Sequence, residues 1–438
     1  MATSSALAIA GGQPVIAEDV HVAWPDMDEA DQRAVEQVLR GRVMAGPHAP
    51  QLRALEEEYA EFVGVRHCVA TSSGTASLHA SLAAVGVGPG DEVIIPAYTF
   101  SASAFAAMHQ GATPVFCDVD PLTYNLDPNL IEPLIGPRTR AIMAVHIHGQ
   151  PADMDEINAV AARHGVPVVE DNSQAHGVRY RGRMTGSLGQ AAGASINWSK
   201  NLGVGEGGLF TTDDDEGALV ARRLVLYGED VPAGAPRPYW SHGVGYNFRG
   251  QEMVCAVGRT RLRRLPEHNA RAQANAARLT AGLTGIKGLR LPYVAPDRES
   301  SYWRYQLQVC PEDIGFDGDP RDLRDRIMRG LTAEGLEVLV WQPQPVPAQP
   351  AFRRRAQVWQ PRTDAERLRP WDPARFPVAS RLCDVSLSLG TWLRPLAVQE
   401  PSLMDRYVEA VEKVMADLDT LLSIPIDPYP RMTDTDRR

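Results

Sequence analysis

The hydrophobic and polar positions divide the chain into regions with different periodicity. Residues 1–25 show no regular spacing and carry glycine and proline, so we expect an N-terminal arm. Apolar residues recur every three or four positions over 28–39 and 51–63, which predicts two amphipathic helices. Gly64 is expected to end the second helix, because glycine readily adopts the left-handed conformation found after many helices.

The pattern changes after residue 66 to short apolar runs that alternate with amphipathic stretches. Such alternation predicts a mostly parallel sheet covered by helices on both faces, an α/β fold. In these sheets ligands bind at the carboxyl ends of the strands. The predicted strands are 68–72, 92–96, 114–119, 141–148, 166–170, 193–197 and 208–212, with helices at 73–84, 101–110 and 153–164.

The pattern of hydrophobic and polar positions changes again beyond Gly250. Two long helices separated by Pro266 are expected to lead into a smaller C-terminal α/β domain. The predicted elements are helices at 253–265, 270–283, 321–334 and 403–422, strands at 302–309, 336–341 and 385–389, an extended proline-rich run at 343–350, and an arginine-rich loop or insertion at 353–373. We therefore expect an arm over 1–25, a large domain over 26–268, a small domain over 269–428 and a disordered tail over 429–438.

Composition and charge narrow the function classes. The formal net charge of -10 argues against nucleic acid as the main partner, because a phosphate backbone requires a basic face. No apolar run is long enough to cross a membrane, and the N-terminus lacks the pattern of a secretion signal. The five cysteines are scattered without metal-ligand spacing, so we expect reduced thiols, no metal site and a cytoplasmic location.

Lysine is rare in this chain, which draws attention to Lys200. Only Lys200, Lys287 and Lys413 occur among the 44 lysine and arginine residues. An amine can lose its proton and attack a carbonyl, whereas a guanidinium effectively cannot. Lys200 follows a predicted buried strand and precedes a glycine-rich turn, as a Schiff-base lysine does. A surface lysine in a loop is the alternative interpretation. Lys287 is expected in a turn, and Lys413 on the exposed face of the last helix.

Other strand ends carry groups that complement an amine. Ser73, Gly74 and Thr75 open a helix, and a helix N-terminus can bind phosphate. Phe100 offers an aromatic face, and Asp171 offers a carboxylate. Together with Lys200 these groups suit pyridoxal 5'-phosphate, whose protonated ring accepts electrons from a carbanion.

Each of these features also has a purely structural interpretation. Ser-Gly-Thr at 73–75 is often a helix cap, Phe100 alone is more often core, and Asp171 can cap a helix. His146 and His148 alternate along a predicted strand and would share one face, where satisfied core histidines are favoured over a metal pair. The combination of strand-end groups along one sheet favours a cofactor site.

A set of short motifs runs along the chain, namely SGTASL (73–78), GDEVIIPAYTF (90–100), GATPVF (111–116), VHIHG (145–149), EDNSQAHG (170–177), Ser195 with SKN (199–201), GEGG (205–208) and GYNFR (245–249). These motifs resemble the DegT/DnrJ/EryC1/StrS family of pyridoxal-phosphate aminotransferases, which act on keto-sugars and keto-cyclitols. The resemblance runs from about residue 7 to 422 and implies the type I, aspartate aminotransferase-like fold with a seven-stranded sheet. The GEGG form is similar to the L-glutamine:scyllo-inosose aminotransferase and aminohydroxybenzoate synthase branch.

The resemblance implies a role for each matching position. Lys200 would join the cofactor aldehyde and move the proton, and Asp171 would pair with the pyridinium nitrogen. Asn247 would reach the phosphate of the partner subunit, which implies a homodimer with shared active sites. The remaining cofactor contacts would be Ser73, Gly74, Thr75, Phe100, Gln174 and Ser195, and the candidate substrate contacts are Asn172, Trp198, Tyr302, Trp341 and Gln342.

The predicted reaction moves an amino group from L-glutamine or L-glutamate to a polyhydroxylated ketone. Two other classes stay open. One is a pyridoxamine-dependent dehydratase or another carbonyl reaction on the same scaffold, although some relatives of that kind have histidine where this chain has Lys200. The other is a regulatory protein that keeps the fold, for which no helix-turn-helix pattern or basic segment is present.

Overall fold

A computed structural model describes residues 6–232, 234–353 and 372–425 of the chain. Most of the predicted arginine-rich loop at 353–373, and the predicted tail, lie outside these ranges. Over the described residues, no helix combines the length and apolarity needed to span a membrane. The α-helices are α1 (Glu29–Gly41), α2 (Pro50–Val63), α3 (Gly74–Ala84), α4 (Ser101–His109), α5 (Met154–His164), α6 (Asp215–Val225), α7 (Glu252–Leu283), α8 (Pro320–Ala333), α9 (Pro350–Arg353), α10 (Pro377–Val385), α11 (Pro401–Ala416) and α12 (Leu418–Ser423).

A mostly parallel seven-stranded sheet forms the large domain, as predicted. Its order is β1-β9-β8-β5-β4-β2-β3, and only β9 runs antiparallel to its neighbours. The carboxyl ends of the parallel strands therefore lie along one edge. The strands of the described residues are β1 (His67–Thr71), β2 (Glu92–Pro96), β3 (Thr113–Cys117), β4 (Thr139–Val145), β5 (Val168–Asp171), β6 (Arg179–Tyr180), β7 (Arg183–Met184), β8 (Ala191–Ser195), β9 (Gly208–Thr212), β10 (Leu289–Arg290), β11 (Tyr305–Val309), β12 (Val338–Leu339) and β13 (Ser386–Leu389).

Local chemistry explains where the first helices begin and end. Asp28 caps α1 in a capping box with Asp31, and α2 starts at Pro50, where a missing N–H has no cost. The carboxylate of Glu252 accepts hydrogen bonds from two backbone amides of the first turn of α2, at 2.7 and 2.9 Å. Gly64 ends α2 with a φ of 85°, as predicted.

The two helices predicted on either side of Pro266 are one continuous helix, α7, so that prediction was wrong. Proline removes one backbone hydrogen bond but does not break this helix, because tertiary contacts hold both halves. The first half packs against α1 and α2, and the second against α11. Asp26 accepts hydrogen bonds from Arg261 at 2.6 Å and His268 at 3.2 Å, which lie on opposite sides of Pro266. The predicted boundary between residues 268 and 269 falls inside α7.

The small domain is built on an antiparallel sheet with the order β10-β11-β13-β12. The single helix predicted at 403–422 is divided, because α11 ends at Ala416 and Asp417 caps the short α12. The N-terminal arm belongs to this domain. Leu7 and Ile16 of the arm are buried in its hydrophobic core.

A buried ion pair fixes the arm to the small domain. The carboxylate of Glu334, at the end of α8, is fully buried and accepts the backbone amides of Ala8 and Val15 at 2.8 and 3.0 Å. Lys413 donates to the same carboxylate at 2.8 Å and to the carbonyl of Gln13. The Lys413 side chain is only 12% exposed, so the expected exposed position was wrong. Lys287 does lie exposed in a turn.

We predict that Lys413→Met lowers the free energy of unfolding by about 3 kcal/mol, because it leaves the buried Glu334 carboxylate without its cation. Chemical denaturation followed by circular dichroism measures the change. Lys287→Met, an equivalent change at an exposed turn, is the matched control and should have little effect. Equal stability of the two variants would contradict this role for Lys413.

Candidate active site

The carboxyl edge of the large sheet and the small domain enclose a cavity of about 410 Å³. The volume is within the range of small-molecule sites. Groups after β1, β5 and β8 line one side, and residues from the small domain line the other. The lining residues are Ser73, Gly74, Thr75, Leu78, Phe100, Ala102, Asp171, Ser173, Gln174, Ser195, Asn197, Ser199, Lys200, Glu206, Trp303, Arg304, Trp341 and Trp392.

Lys200 lies in this cavity, in the loop that follows β8. Its Nζ is 4.5 Å from the centroid of the Trp303 ring. Burial lowers the pKa of Lys200 to about 8, nearby Asp171 opposes that shift, and Arg304 adds to it. A lysine with this pKa has an appreciable neutral fraction near neutral pH, which is the form that reacts with a carbonyl.

Two indole N–H groups hold the backbone of the Lys200 loop. Trp24 of the N-terminal arm donates to the carbonyl of Trp198 at 2.6 Å, and Trp303 of the small domain donates to the carbonyl of Ser199 at 2.7 Å. These donors reach adjacent residues from different parts of the chain. The position of Lys200 therefore depends on the docking of the arm and the small domain.

Asp171 is the last residue of β5 and is buried at the cavity wall. Its Oδ2 accepts a hydrogen bond from the Ser103 hydroxyl at 2.8 Å, and its Oδ1 accepts the Ser173 amide at 3.1 Å. No helix in the described part of the chain begins at Asp171, so it is not the helix cap considered as an alternative. The two donors fix the direction of the carboxylate.

The start of α3 has a helix cap and also lines the cavity, so both interpretations of residues 73–75 apply. The Ser73 hydroxyl caps α3 by accepting the Ala76 amide at 3.1 Å. The next two residues, Gly74 and Thr75, still line the cavity, and the amides of a first helical turn have no partner within the helix. Gly74 lies against Ser195, where an added Cβ would be 2.5 Å from the Ser195 Cβ. The helix start and the end of β8 thus form one continuous wall of the cavity.

Phe100 and Gln174, which were also predicted to contact the cofactor, line the cavity as well. Phe100 is 56% exposed beside it, which excludes the core interpretation. Gln174 is buried, and its Oε1 accepts the backbone amide of His148 at 2.7 Å.

Only Trp341 among the five candidate substrate contacts lines the cavity. Asn172 is buried elsewhere and donates to the Thr185 carbonyl, and the Gln342 amide donates to the Thr99 carbonyl at 2.6 Å. The other predicted residues outside the cavity lining are Trp198, Tyr302 and the exposed Asn247.

The histidines predicted to share a strand face do not do so. β4 ends at Val145, and His148 lies in a 3-10 turn with a φ of 57°. His146 contacts the buried Glu170 carboxylate at 2.8 Å and accepts the Ala152 amide on its other nitrogen, as a satisfied core histidine does.

Sequence reasoning missed three side chains of the small-domain wall, namely Trp303, Arg304 and Trp392. The predicted strand began at Tyr302, but β11 begins at Tyr305, so the intervening residues form a loop that enters the cavity. Tyr302 instead stacks on Tyr305, with ring centroids 6.2 Å apart. The only signal for this wall in the sequence was Arg304, an arginine between the aromatic residues Trp303 and Tyr305.

The comparison with protein families agrees with this geometry. Residues 25–390 match the model described as the DegT/DnrJ/EryC1/StrS aminotransferase family. The chain belongs to this family. It is a pyridoxal-phosphate-dependent aminotransferase, and the resemblance identified from the motifs is confirmed.

Individual relatives extend the comparison. The chain is 38% identical to the dTDP-3-amino-3,4,6-trideoxy-alpha-D-glucose transaminase of Streptomyces venezuelae, over 76% of this chain and 83% of that protein. It is 37% identical to the L-glutamine:2-deoxy-scyllo-inosose aminotransferase of Streptoalloteichus tenebrarius, over 93% of this chain and 97% of that protein. The crystal structure of S. venezuelae DesV has 35% identity and a TM-score of 0.75, covering 88% of this chain and 94% of that one. These similarities confirm the predicted fold class.

The cavity fits the cofactor of the family. Its wall combines the open helix start at Gly74, the oriented carboxylate of Asp171 and an amine of lowered pKa at Lys200. These are the groups needed for a phosphate, a protonated ring nitrogen and an aldehyde.

We predict that Gly74→Ala weakens the binding of pyridoxal phosphate at least about 10-fold, because the new methyl group would separate α3 from Ser195. Titration of the apoprotein with the cofactor, followed by absorbance, measures the affinity. Gly88→Ala is the matched control, since a Cβ there meets no atom within 4 Å. Unchanged affinity in Gly74→Ala would show that the close contact does not shape the site.

Proposed function

We propose that this aminotransferase moves an amino group from L-glutamine, or L-glutamate, to a keto-cyclitol in aminoglycoside or related secondary-metabolite biosynthesis. The observation that carries the proposal is Lys200 beside Asp171 in a cavity walled by aromatic side chains, in a chain that aligns over 93% of its length with an L-glutamine:2-deoxy-scyllo-inosose aminotransferase. A keto-sugar is the other acceptor consistent with the family.

The cavity supports an acceptor that is a polyhydroxylated ring. Trp341, Trp392 and Trp303 present apolar ring surface, which suits the C–H faces of a cyclitol or sugar. The exposed carboxylate of Glu206 and the amide of Asn197 lie at the same cavity and hydrogen-bond each other at 2.6 Å. Such groups can accept and donate hydrogen bonds to ring hydroxyls.

Pyridoxal phosphate, when bound, supplies an aldehyde that receives the amino group and a ring that accepts electrons. Gly74, Thr75 and Ser195 would hold its phosphate, together with the cap residue Ser73. Asp171, fixed by Ser103 and Ser173, would keep a negative charge facing the ring nitrogen. Because these two hydrogen bonds already fix the Asp171 carboxylate, little reorganisation of the protein would be needed for it to face the ring nitrogen.

Lys200 is suited to move a proton in both directions. With a pKa of about 8 its amine is present in neutral and protonated forms near neutral pH, so it can take a proton from a substrate carbon and return it. Its Nζ is held above Trp303, and its backbone loop is fixed by two indole donors. A lysine at this position favours amino transfer over the dehydratase considered earlier.

A homodimer with shared sites is part of the proposal. Tyr239, Trp240 and Val244 are 77%, 68% and 90% exposed, an unusual density of apolar surface on one segment. Asn247 follows this segment and is exposed away from the cavity of its own chain. Both features suit a surface that meets a second copy and reaches its cofactor phosphate.

We predict that the cofactor-loaded protein with L-glutamine loses its aldehyde absorbance and releases one keto acid per site. Lys200→Ala should fold and dimerise but lower turnover by at least about 1,000-fold, since the proton-transfer group is lost. Absorbance spectra and a coupled keto-acid assay measure both steps. Lys287→Ala is the lysine control and should retain full activity. Wild-type turnover in Lys200→Ala would refute the assignment.

We predict that mixing Lys200→Ala with Asn247→Ala restores activity that neither variant has alone. In a mixed dimer with shared sites, one site carries both changes and the other carries neither. Random exchange of subunits should then give about a quarter of wild-type turnover. The refolded mixture is assayed beside each variant alone. No recovery would show that each site is built within one chain.

A further inference from the structure

Arg304 is a buried cation that lacks a counter-ion within the described part of the chain. It is only 3% exposed, and no ion pair joins it to a carboxylate in residues 6–232, 234–353 and 372–425. Other buried arginines of the chain do have such partners: Arg261 contacts Asp26 at 2.6 Å, and Arg298 contacts Asp153 at 2.6 Å. Proteins almost always pair a buried charge, so the exception at the active cavity indicates a ligand.

The protein contacts of Arg304 leave much of its hydrogen-bonding capacity unused. One Nη donates to the Trp303 carbonyl at 3.1 Å, whereas Nε is buried without any partner. The guanidinium carbon lies 4.1 Å from the Trp303 ring centroid and 6.0 Å from that of Trp392. The two indoles orient the planar group, and stacking leaves in-plane N–H donors for a ligand.

The charge of Arg304 remains in place near neutral pH. Burial lowers its pKa to about 9, which still keeps the guanidinium protonated at pH 7. The same group lowers the pKa of Lys200, and both cations lie against the ring of Trp303. An anion bound to Arg304 would relieve the repulsion between the two cations.

We infer that Arg304 is the subsite for the α-carboxylate of the amino donor, an inference that rests on the proposed function. A planar guanidinium matches a carboxylate with two parallel hydrogen bonds. Because Arg304 and Lys200 lie over one indole ring, a carboxylate held by the arginine places the donor's amino group on the side of the cavity where the amine chemistry occurs.

Two other anions, the cofactor phosphate and the phosphates of a nucleotide-linked acceptor, fit Arg304 less well than the donor carboxylate does. The cofactor phosphate has its own wall at Gly74, Thr75 and Ser195. A nucleotide-linked acceptor would bring two phosphates, whereas Arg304 is one enclosed cation among aromatic side chains. A keto-cyclitol carries no anion, so the donor is the substrate with a charge for Arg304 to bind.

The test measures each half-reaction of the cofactor-loaded enzyme separately. Donors are L-glutamine and its α-carboxamide, in which the carboxylate is replaced by a neutral amide. Arg304→Met should lower kcat/KM for L-glutamine about 100-fold and leave that for the carboxamide within about threefold, so the preference for the carboxylate disappears. The acceptor half-reaction with 2-deoxy-scyllo-inosose should stay within about threefold.

Two further variants keep the test decisive. Arg304→Lys keeps the positive charge but lacks the two parallel N–H donors of the guanidinium, so kcat/KM for L-glutamine should fall about 10-fold. This variant tests the subsite even if Arg304→Met does not fold. Arg290→Met, on β10 of the same domain and outside the cavity, is the control and should match the wild type.

The outcomes separate the two proposals. Wild-type conversion by L-glutamine with an undiminished carboxylate preference in the Arg304 variants would overturn the subsite while the proposed function stands. A loss confined to the acceptor half-reaction with a nucleotide-linked ketone would show that Arg304 binds phosphate and would also overturn it. Failure of the wild type with every amino donor would reject the proposed function itself, and the subsite with it.

Discussion

Lys200 and Arg304 lie over the ring of Trp303, with Nζ at 4.5 Å and the guanidinium carbon at 4.1 Å from its centroid. Two cations in a buried place repel each other, and the electron-rich ring and the carboxylates of Asp171 and Glu206 oppose that repulsion. The arrangement holds because Trp303 is itself fixed by its hydrogen bond to Ser199. Burial in this cavity is the main cause of the lowered pKa of Lys200, and the charge of Arg304 adds to it.

The same region joins the two domains. The Ser301 amide donates to the Gly149 carbonyl at 3.0 Å, and the Ser301 hydroxyl donates to the Gln174 carbonyl at 2.8 Å. These bonds attach the loop before β11 to the edge of the large sheet, at the 3-10 turn that contains His148 and ends at Gly149. Aromatic contacts continue the attachment, because Trp341 meets both His148 and Trp303 edge to face. The cavity exists only when this seam is formed, so its chemistry is a property of the docked domains.

Prediction from sequence succeeded where local pattern and strand order decide the outcome. The strand ends next to Ser73 and Asp171 were located to within one residue from apolar runs alone, whereas the strand predicted to end at residue 197 ends at Ser195. The carboxyl-edge rule brought these side chains together. It failed where distant contacts override a local signal. Pro266 reads as a helix break, yet packing on both sides keeps α7 continuous. Lys413 reads as exposed, yet the arm covers it.

The sequence by itself determined the alternating α/β order, the family motifs and the one lysine with a reactive neighbourhood, because periodicity and strand-end chemistry are local properties. Only the tertiary structure decided which side chains face that lysine from the small domain. These side chains are Trp303, Arg304 and Trp392, which lie in loops more than 100 residues after Lys200. Local periodicity does not predict where such a loop packs. Pairing of a buried charge is likewise a three-dimensional property, since Arg304 differs from Arg261 only in what the fold places beside it.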